Sequence, residues 1–570
     1  MVLVWYNKSE MRNTKQMLIS AVQKAVRDIT GSEVVVVLSR PQHKEHGDYA
    51  TNVALVASKQ KNPLELAQEI ARRLENLNLD IIKQIDVVPP GFINIWLSDE
   101  VLLSELTPVL QKKSSQKVMI EFTDPNPFKE FHIGHLYSNA VGESLARLQE
   151  ALGATVARAN YQGDVGMHVA KALYGTELKI KSEKLKVDDL QKRPLRERVK
   201  VLGEAYVQGA AAFEESEAAK QEITDINRRV FAKDPSIMPL YETGRQWSLE
   251  AFEVIYKRLG TKFDFYYFES EVGEPGKKLV LEFLKKGVFE KSDGAIIFRG
   301  EKMGLHNRVF INSLGLPTYE AKEMGLAPTK YKDFPYDVSI IVTGNEVSAY
   351  FKVVLAALSK VSPDLAKKTT HIGHGMVRLP EGKMSSRTGN IKTGEWLLDE
   401  TKKRLLEAYP SMQESIAEKV AVGAVKYALL RVGVGRDIVF NFDSSLSFEG
   451  ESGPYLQYTY ARTQSVLKKI KSEKLKVKSE KELTGEEQLA LRLLYRFPEI
   501  AEEAAENYAP STLCTYLFDL AQAFNLFYQK DPILSAEEKT RELRIVLTKR
   551  VGEVLKTGLH LLGIAAPQKM

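Results

Sequence analysis

Between residues 117 and 161 the spacing of apolar positions changes period twice, and this is the clearest structural signal in the chain. Residues 118–122 (Val-Met-Ile-Glu-Phe) form a short apolar run that reads as a strand, followed by a loop over 123–131. Ile133, Leu136, Ala140, Leu145 and Leu148 then recur at helical spacing, with Gly153 placed to stop the helix. Residues 155–161 read as a second strand. Strand, helix and strand in such quick succession make a βαβ unit, which predicts a parallel sheet.

The flanking regions read differently. In residues 1–112 the pattern predicts a helix over 15–29, a β-branched strand over 33–38 and helices starting at Tyr49 and Pro63. One strand over 87–97, punctuated by Pro89, Pro90 and Gly91, closes this block. Residues 173–236 are charged and helical, as expected of an insertion. Strands and loops are expected over 263–343, then a helix from Ala349 and a strand over 371–379. Beyond Glu395 the chain reads as helical, with a break at 449–454. The predicted fold class is therefore α/β: a parallel-sheet domain between a small N-terminal α/β domain and an all-α C-terminal bundle.

Composition narrows the class without deciding it. Hydrophobic content of 44% and charged content of 27% over 570 residues suit a globular protein of several domains. A net charge of +6 fits a polyanionic partner, yet is thin when spread over this length. The single cysteine, Cys514, excludes an internal disulfide and a multi-cysteine zinc site, and its apolar setting predicts burial. No apolar run approaches the ~18 residues a membrane span needs, and residues 2–6 are too short for a signal-peptide core. A cytoplasmic location is expected, with residues 1–15 read as an extension ahead of the first helix. The nine residues 179–187 (KIKSEKLKV) recur unchanged at 469–477. They read either as a tolerated Lys-rich surface insertion or as two basic patches for RNA phosphates, the first being simpler.

Two motifs carry chemistry. His132-Ile133-Gly134-His135 falls where the helix after the first strand begins. Unpaired N–H groups and the positive dipole end of a helix suit phosphate there, imidazoles can donate to phosphoryl oxygens, and glycine permits close approach of a base. The carboxyl end of a parallel strand is also where doubly wound sheets bind nucleotides. The same tetrapeptide recurs at 371–374 but runs into a predicted strand, so its histidines read as ordinary sheet-end residues. The second motif, Lys383-Met384-Ser385-Ser386-Arg387-Thr388-Gly389-Asn390, is a basic, hydroxyl-rich loop able to fold over a triphosphate.

Together these resemble the HIGH and KMSKS signatures of class I aminoacyl-tRNA synthetases, and their surroundings resemble the arginyl-tRNA synthetase family. The carriers are Glu121-Phe122-Thr123-Asp124-Pro125-Asn126, Gly163-Asp164-Val165-Gly166, Gly47-Asp48-Tyr49-Ala50-Thr51-Asn52 and Pro90-Gly91-Phe92-Ile93-Asn94. Gly453-Pro454-Tyr455-Leu456-Gln457-Tyr458 with Ala461-Arg462, and the terminal residues 558–564, complete the resemblance from end to end. It implies an additional tRNA-binding domain over 1–112, a Rossmann-like catalytic domain over 113–395, a helical connection over 396–448 and an anticodon-binding domain over 449–570.

The implied reaction is arginine–tRNA ligation. ATP, with Mg²⁺, would be consumed to form arginyl-adenylate and pyrophosphate, and the arginyl group would pass to the tRNA 3′ end. By resemblance His132, Gly134, His135, Lys383, Ser385 and Ser386 serve ATP chemistry, and Gly375 and Met376 meet adenine through the backbone. Ser386 stands where the KMSKS pattern has its second lysine, and Lys129, just upstream of the first motif, is expected to supply that charge. Arginine, whose guanidinium has five donors and no acceptor, would be held by Glu121, Asp124, Asn126, Tyr319 and Glu323. Glu323 stands where aspartate is expected, Asp124 where serine is frequent, and Val347, beside Glu346, where a glutamine is usual. Phe92, Asn94, Tyr455, Gln457, Tyr458 and Arg462 would contact tRNA, though packing could equally explain Phe92, Tyr455 and Tyr458. A monomer that needs bound tRNA for arginine activation, with no protein-bound zinc, is expected. A cysteinyl-type enzyme would need zinc ligands that are missing here, a small adenylyltransferase would not need the flanking domains, and a non-catalytic tRNA-binding paralogue would be expected to lose a motif residue.

Overall fold

The computed structural model describes residues 14–41, 46–58, 61–104, 106, 110, 112–182, 187–380, 393–470 and 482–570. Lys383, Ser385 and Ser386 of the basic loop lie outside the described residues, as do 183–186 and 471–477 of the two Lys-rich copies. The chain divides into two compact units, one of Met1–Val109, Thr463–Pro498 and Gln522–Val554, the other of Leu110–Arg462, Glu499–Ala521 and Leu555–Met570. Among the described residues no helix is long and apolar enough to cross a membrane.

The larger unit is built on a five-stranded parallel sheet. Its strands are β1 (Lys117–Phe122), β2 (Thr155–Gln162), β3 (Phe265–Phe268), β4 (Val338–Gly344) and β5 (Thr369–His374), in the order β5-β4-β1-β2-β3. Strand order reverses between β1 and β4, so a crevice opens at the carboxyl ends of these two neighbours. Five helices frame it: α1 (Ile133–Ala151), α2 (Met238–Leu259), α3 (Glu269–Lys285), α4 (Tyr319–Asp333) and α5 (Ser348–Val361). Met119, Ala157, Ala159, Tyr267, Val280, Met324, Val353 and Ala357 form the core between the sheet and α3, α4 and α5. The insertion between β2 and α2 is helical, as the pattern predicts, and its Leu173, Leu202 and Ile223 form a core with Trp247 of α2. Cys514 is wholly buried, and burial pushes its thiol up.

In the smaller unit an antiparallel sheet places Phe92–Leu97 between Tyr49–Thr51 and Ile82–Val88. Asp48 is buried beside it, accepting the Leu97 N–H at 2.9 Å and pairing with Arg492 and Arg496. The Tyr49 and Tyr495 hydroxyls lie 3.2 Å apart. The Gly47-Asp48-Tyr49 stretch is thus a clasp on residues 492–496.

Several elements differ from the pattern's prediction. The strand expected over 87–97 is a hairpin, and the helix expected from Tyr49 is preceded by the strand Tyr49–Thr51. Residues 33–38 do alternate, with Val36 and Leu38 buried and Val35 and Val37 exposed, but they lack a ladder partner and form no strand. The strand expected over 371–379 breaks after His374, and Val377–Arg378 pairs with Ile438–Val439 instead. Helices α3 and α4 occupy a region read as strands and loops. Each contains a proline, Pro275 or Pro328, and α4 buries Glu320, Lys322 and Lys330, so polar residues occupy its inner face and hide its periodicity.

Helix α1 is buried along nearly its whole length, and Gly142 is where it meets β1. A Cβ there would lie 2.1 Å from the Phe122 ring. Gly142→Ala is expected to destabilise the larger unit by about 1–3 kcal/mol through overpacking, read as a lowered midpoint in a denaturant titration.

Candidate active site

The crevice at the ends of β1 and β4 is shaped first by a turn. Thr123 and Asp124 both have left-handed backbone, with φ of +80° and +45°, a conformation that non-glycine residues adopt rarely and at a cost. Side-chain hydrogen bonds hold it. The Thr123 N–H donates to Ser138 Oγ at 2.9 Å, and Asn139 Nδ2 donates to Thr123 Oγ1 at 3.0 Å. The Tyr161 N–H donates to Asp124 Oδ1 at 2.8 Å, and Asn160 Nδ2 to the Phe122 carbonyl at 3.0 Å. The Ser138 hydroxyl in turn donates to the Val342 carbonyl on β4 at 2.9 Å, so one buried serine bridges both strands.

Beyond the turn His132 caps α1. Its Nδ1 accepts the His135 N–H at 3.3 Å, while His135 Nδ1 accepts the His132 N–H at 3.2 Å. The rings stack with centroids 3.6 Å apart. A Cβ at position 134 would lie 2.9 Å from the His132 ring, so the stack requires Gly134. With each Nδ1 accepting, each proton sits on Nε2, and both rings keep an N–H donor. Burial first, then the charges of Lys129 and His374, push His132 down to about 4. Burial and His132 hold His135 well below the usual imidazole range. Both are therefore neutral donors at pH 7.

The second tetrapeptide lies beside the first, which the sequence could not reveal. His371 bonds Thr343 Oγ1 at 2.8 Å and stacks on Phe351, as a sheet-end residue does. His374 is buried with its ring 4.5 Å from that of Tyr137 on α1, within electrostatic reach of His132 and His135. Gly375 and Met376 follow. The Met376 N–H donates to Asp437 at 2.9 Å, and its carbonyl accepts from Ile438 at 2.8 Å. Both backbone groups of Met376 are thus engaged, and its side chain is 43% exposed. Lys129 places its ammonium 5.0 Å from the centre of the Tyr206 ring, and burial and Lys171 lower its pKa.

The other half of the crevice is acidic. Glu121 on β1 pairs with Lys330 at 2.6 Å, both side chains 2% exposed. Glu269, at the start of α3, pairs with Lys322 at 2.5 Å, and burial pushes this acid up to about 7 despite the lysine. Asp124 and Glu323 lie within electrostatic reach of Glu121 and of each other. Asn126 Oδ1 accepts the Gly163 N–H at 3.1 Å, and Tyr319 is 55% exposed at the start of α4. Glu346 folds its carboxylate over Gly344 at the end of β4, next to Val347.

Sequence reasoning missed Glu269, Lys322 and Lys330. An acid at the carboxyl end of a parallel strand was the available signal for Glu269, hidden because α3 was not anticipated. It also missed what Asp164 does. This fully buried carboxylate accepts from Ser270 N and Oγ at 2.9 and 2.7 Å, Tyr241 OH at 3.1 Å and Arg245 Nε at 3.0 Å, fixing the start of α3.

Two residues expected to contact tRNA are placed otherwise. Asn94 is buried in the central strand of the small sheet, leaving no free edge for a base. Gln457 is fully buried, and its amide donates to the Lys419 and Ala565 carbonyls at 3.1 and 2.7 Å, tying helices together. Phe92 and Tyr458 are each 38% exposed, Arg462 lies over the Tyr458 ring, and Tyr455 is half-buried against Phe518.

A doubly wound sheet with a reciprocally capped His-Ile-Gly-His helix at its switch point is the catalytic fold of a class I aminoacyl-tRNA synthetase. Family comparison agrees along the chain. The arginyl tRNA synthetase N-terminal domain matches residues 13–97, the class I (R) tRNA synthetase catalytic domain residues 98–442, and the DALR anticodon binding domain residues 456–570. The arginine–tRNA ligase of Treponema denticola is 32% identical over 598 residues, covering 97% of this chain and 98% of that protein. That of Flavobacterium psychrophilum is 31% identical over 548 residues, covering 89% and 90%. The solved arginyl-tRNA synthetase of Thermus thermophilus superposes with a TM-score of 0.81 at 26% identity, covering 97% of this chain and all of that one. The chain belongs to the arginyl-tRNA synthetase family.

Ser138→Ala would leave the buried Thr123 N–H and Val342 carbonyl without their partner. It is expected to cost about 2–4 kcal/mol of stability and to raise the arginine KM, checked by denaturation and by steady-state kinetics on the folded variant.

Proposed function

We propose that the chain ligates L-arginine to its tRNA in one cleft with two halves, a nucleotide half of neutral donors and an amino-acid half of acids. ATP enters as its Mg²⁺ complex, the ion being part of the substrate. The arginine carboxylate attacks the α-phosphorus, pyrophosphate leaves, and the tRNA terminal ribose takes the acyl group. Such a reaction is accelerated mainly by positioning and by stabilising charge on the phosphates.

His132 and His135 donate through Nε2 to phosphoryl oxygens, and Gly134 leaves room for the nucleotide. Gly375 and Met376 flank adenine. Lys129, with Lys383, Ser385 and Ser386 of the basic loop, offsets charge on the departing pyrophosphate. Asp124, Asn126, Tyr319 and Glu323 hold arginine, and the paired Glu121 and Glu269 set the field around it. Glu346 is the acceptor nearest to Val347 for the α-amino group. Phe92, Tyr455, Tyr458 and Arg462 meet tRNA, while Asn94 and Gln457 shape the surfaces that do. Residues 1–112 form the additional tRNA-binding domain, 113–395 the catalytic domain, 396–448 the connection and 449–570 the anticodon-binding domain. The protein acts as a cytoplasmic monomer, and bound tRNA precedes arginine activation.

The observation that carries this reading is the His132–His135 cap together with Glu121 and Asp124 on one strand-loop-helix. ATP–pyrophosphate exchange with each of the standard amino acids, with and without tRNA, tests it. Exchange should appear with arginine and tRNA together. No exchange with that pair, or stronger exchange with another amino acid, contradicts it. Lys129→Ala should lower the exchange kcat about 10–100-fold, the equivalent of about 1.4–2.7 kcal/mol of transition-state stabilisation, with arginine KM little changed. Full exchange in that variant would remove Lys129 from the chemistry.

A further inference from the structure

The turn after β2 carries a buried histidine that the nucleotide chemistry does not use. His168 stands in the first turn of the helix Met167–Ser182, which opens the insertion. Val169, Ala170 and Leu173 of that helix are buried in the insertion's core, so the helix is anchored there. Only 8% of His168 is exposed, and its Nε2 lies 2.8 Å from the Gly163 carbonyl. A carbonyl oxygen can only accept, so Nε2 carries the proton. Burial first, then the charge of Lys129, pushes the imidazole down to about 3. The ring therefore donates as a neutral group and adds no charge beside Lys129 and Lys322.

Gly163 is where the site needs room. A Cβ there would lie 2.4 Å from Asn126 Oδ1 and 3.1 Å from Glu269 Oε1, so nothing larger fits against these side chains. Glycine also has the most backbone freedom to lose, and that freedom must be removed if its neighbours are to be held. The Gly163 N–H donates to Asn126 Oδ1 at 3.1 Å, the Asp164 N–H donates to the Gln162 carbonyl at 3.1 Å, and His168 donates to the Gly163 carbonyl. The consequence falls on Asn126. An amide turned by half a revolution would set its NH₂ against the Gly163 N–H, donor against donor. The Gly163 N–H thus keeps Oδ1 engaged and leaves Nδ2–H as the donor the amide can turn to a ligand.

We propose that His168 is a positioning residue for the amino-acid half of the cleft: it holds the Gly163 backbone, and Gly163 holds the Asn126 amide in the rotation that offers Nδ2–H to arginine. This rests on Asn126 being an arginine ligand. The ring acts through Gly163 alone. Its hydrogen bond removes the freedom that glycine brings, and it ties the insertion to the loop ahead of α1.

Steady-state ATP–pyrophosphate exchange with arginine and tRNA, on the full chain, tests this. His168→Leu keeps most of the ring's bulk and loses the donor. His168→Gln brings an amide N–H close to where Nε2 lies, whereas the shorter amide of His168→Asn falls short of the carbonyl. The leucine and asparagine variants should each raise the arginine KM about 5–20-fold, as expected for one buried hydrogen bond left unmade, with the ATP KM unchanged. The glutamine variant should stay near the wild-type value. Asn126→Ala should raise the arginine KM in the wild-type chain and add little in the His168→Leu chain, because residues acting through one contact are not additive.

An unchanged arginine KM in the leucine and asparagine variants, an equal rise in both KM values, or a glutamine variant no better than asparagine overturns the proposal. So do Asn126→Ala and His168→Leu effects that multiply in full. Should His168→Leu fail to fold, the comparison of glutamine with asparagine decides alone. No effect of Asn126→Ala in the wild-type chain overturns the role given to Asn126 while leaving arginine as the substrate. No exchange with arginine and tRNA overturns the underlying reading as well.

Discussion

The site depends on two consecutive residues held in left-handed backbone at the end of β1. Thr123 and Asp124 carry positive φ where glycine would be at ease, at a cost of roughly 1–3 kcal/mol each. The hydrogen bonds from Ser138, Asn139, Asn160 and Tyr161 hold that conformation. What the strain accomplishes is geometric. It sets the Asp124 carboxylate against the Tyr161 N–H of β2, brings Asn126 onto Gly163, and delivers the chain to the His132 cap. One bend thereby joins the acidic half of the cleft to its neutral half.

The two halves use opposite electrostatics. Around His132, burial and neighbouring cations keep imidazoles neutral, so they present N–H dipoles and carry no charge of their own to desolvate. Around Glu121, buried lysines neutralise two acids and leave two. The lysines set how much negative charge remains in this half of the crevice. Buried ion pairs of this kind contribute little net stability, and their value here is positional.

The parts of the fold legible in the sequence were those where one physical signal dominates. The β1–α1–β2 unit has apolar runs of clear period, and the first His-Ile-Gly-His was chosen over the second because a helix follows it. Helices α3 and α4 were hidden because polar residues occupy their inner faces. Glu269, Glu320, Lys322 and Lys330 sit where an apolar stripe would normally announce a helix. Asn94 and Gln457 show the opposite limit. Polar side chains in RNA-suited motifs proved buried, because local sequence does not tell which side of a strand or helix faces the interior. The proximity of His374 to His132 is a property of the sheet order alone.

The separation of the cleft into two halves is tested most directly by steady-state kinetics of Glu323→Gln with both substrates varied. The account predicts an arginine KM raised about tenfold or more, the loss of one charge-assisted contact of about 1.5–3 kcal/mol, with the KM for ATP unchanged. An equal rise in both constants, or no rise in the arginine KM, would contradict it.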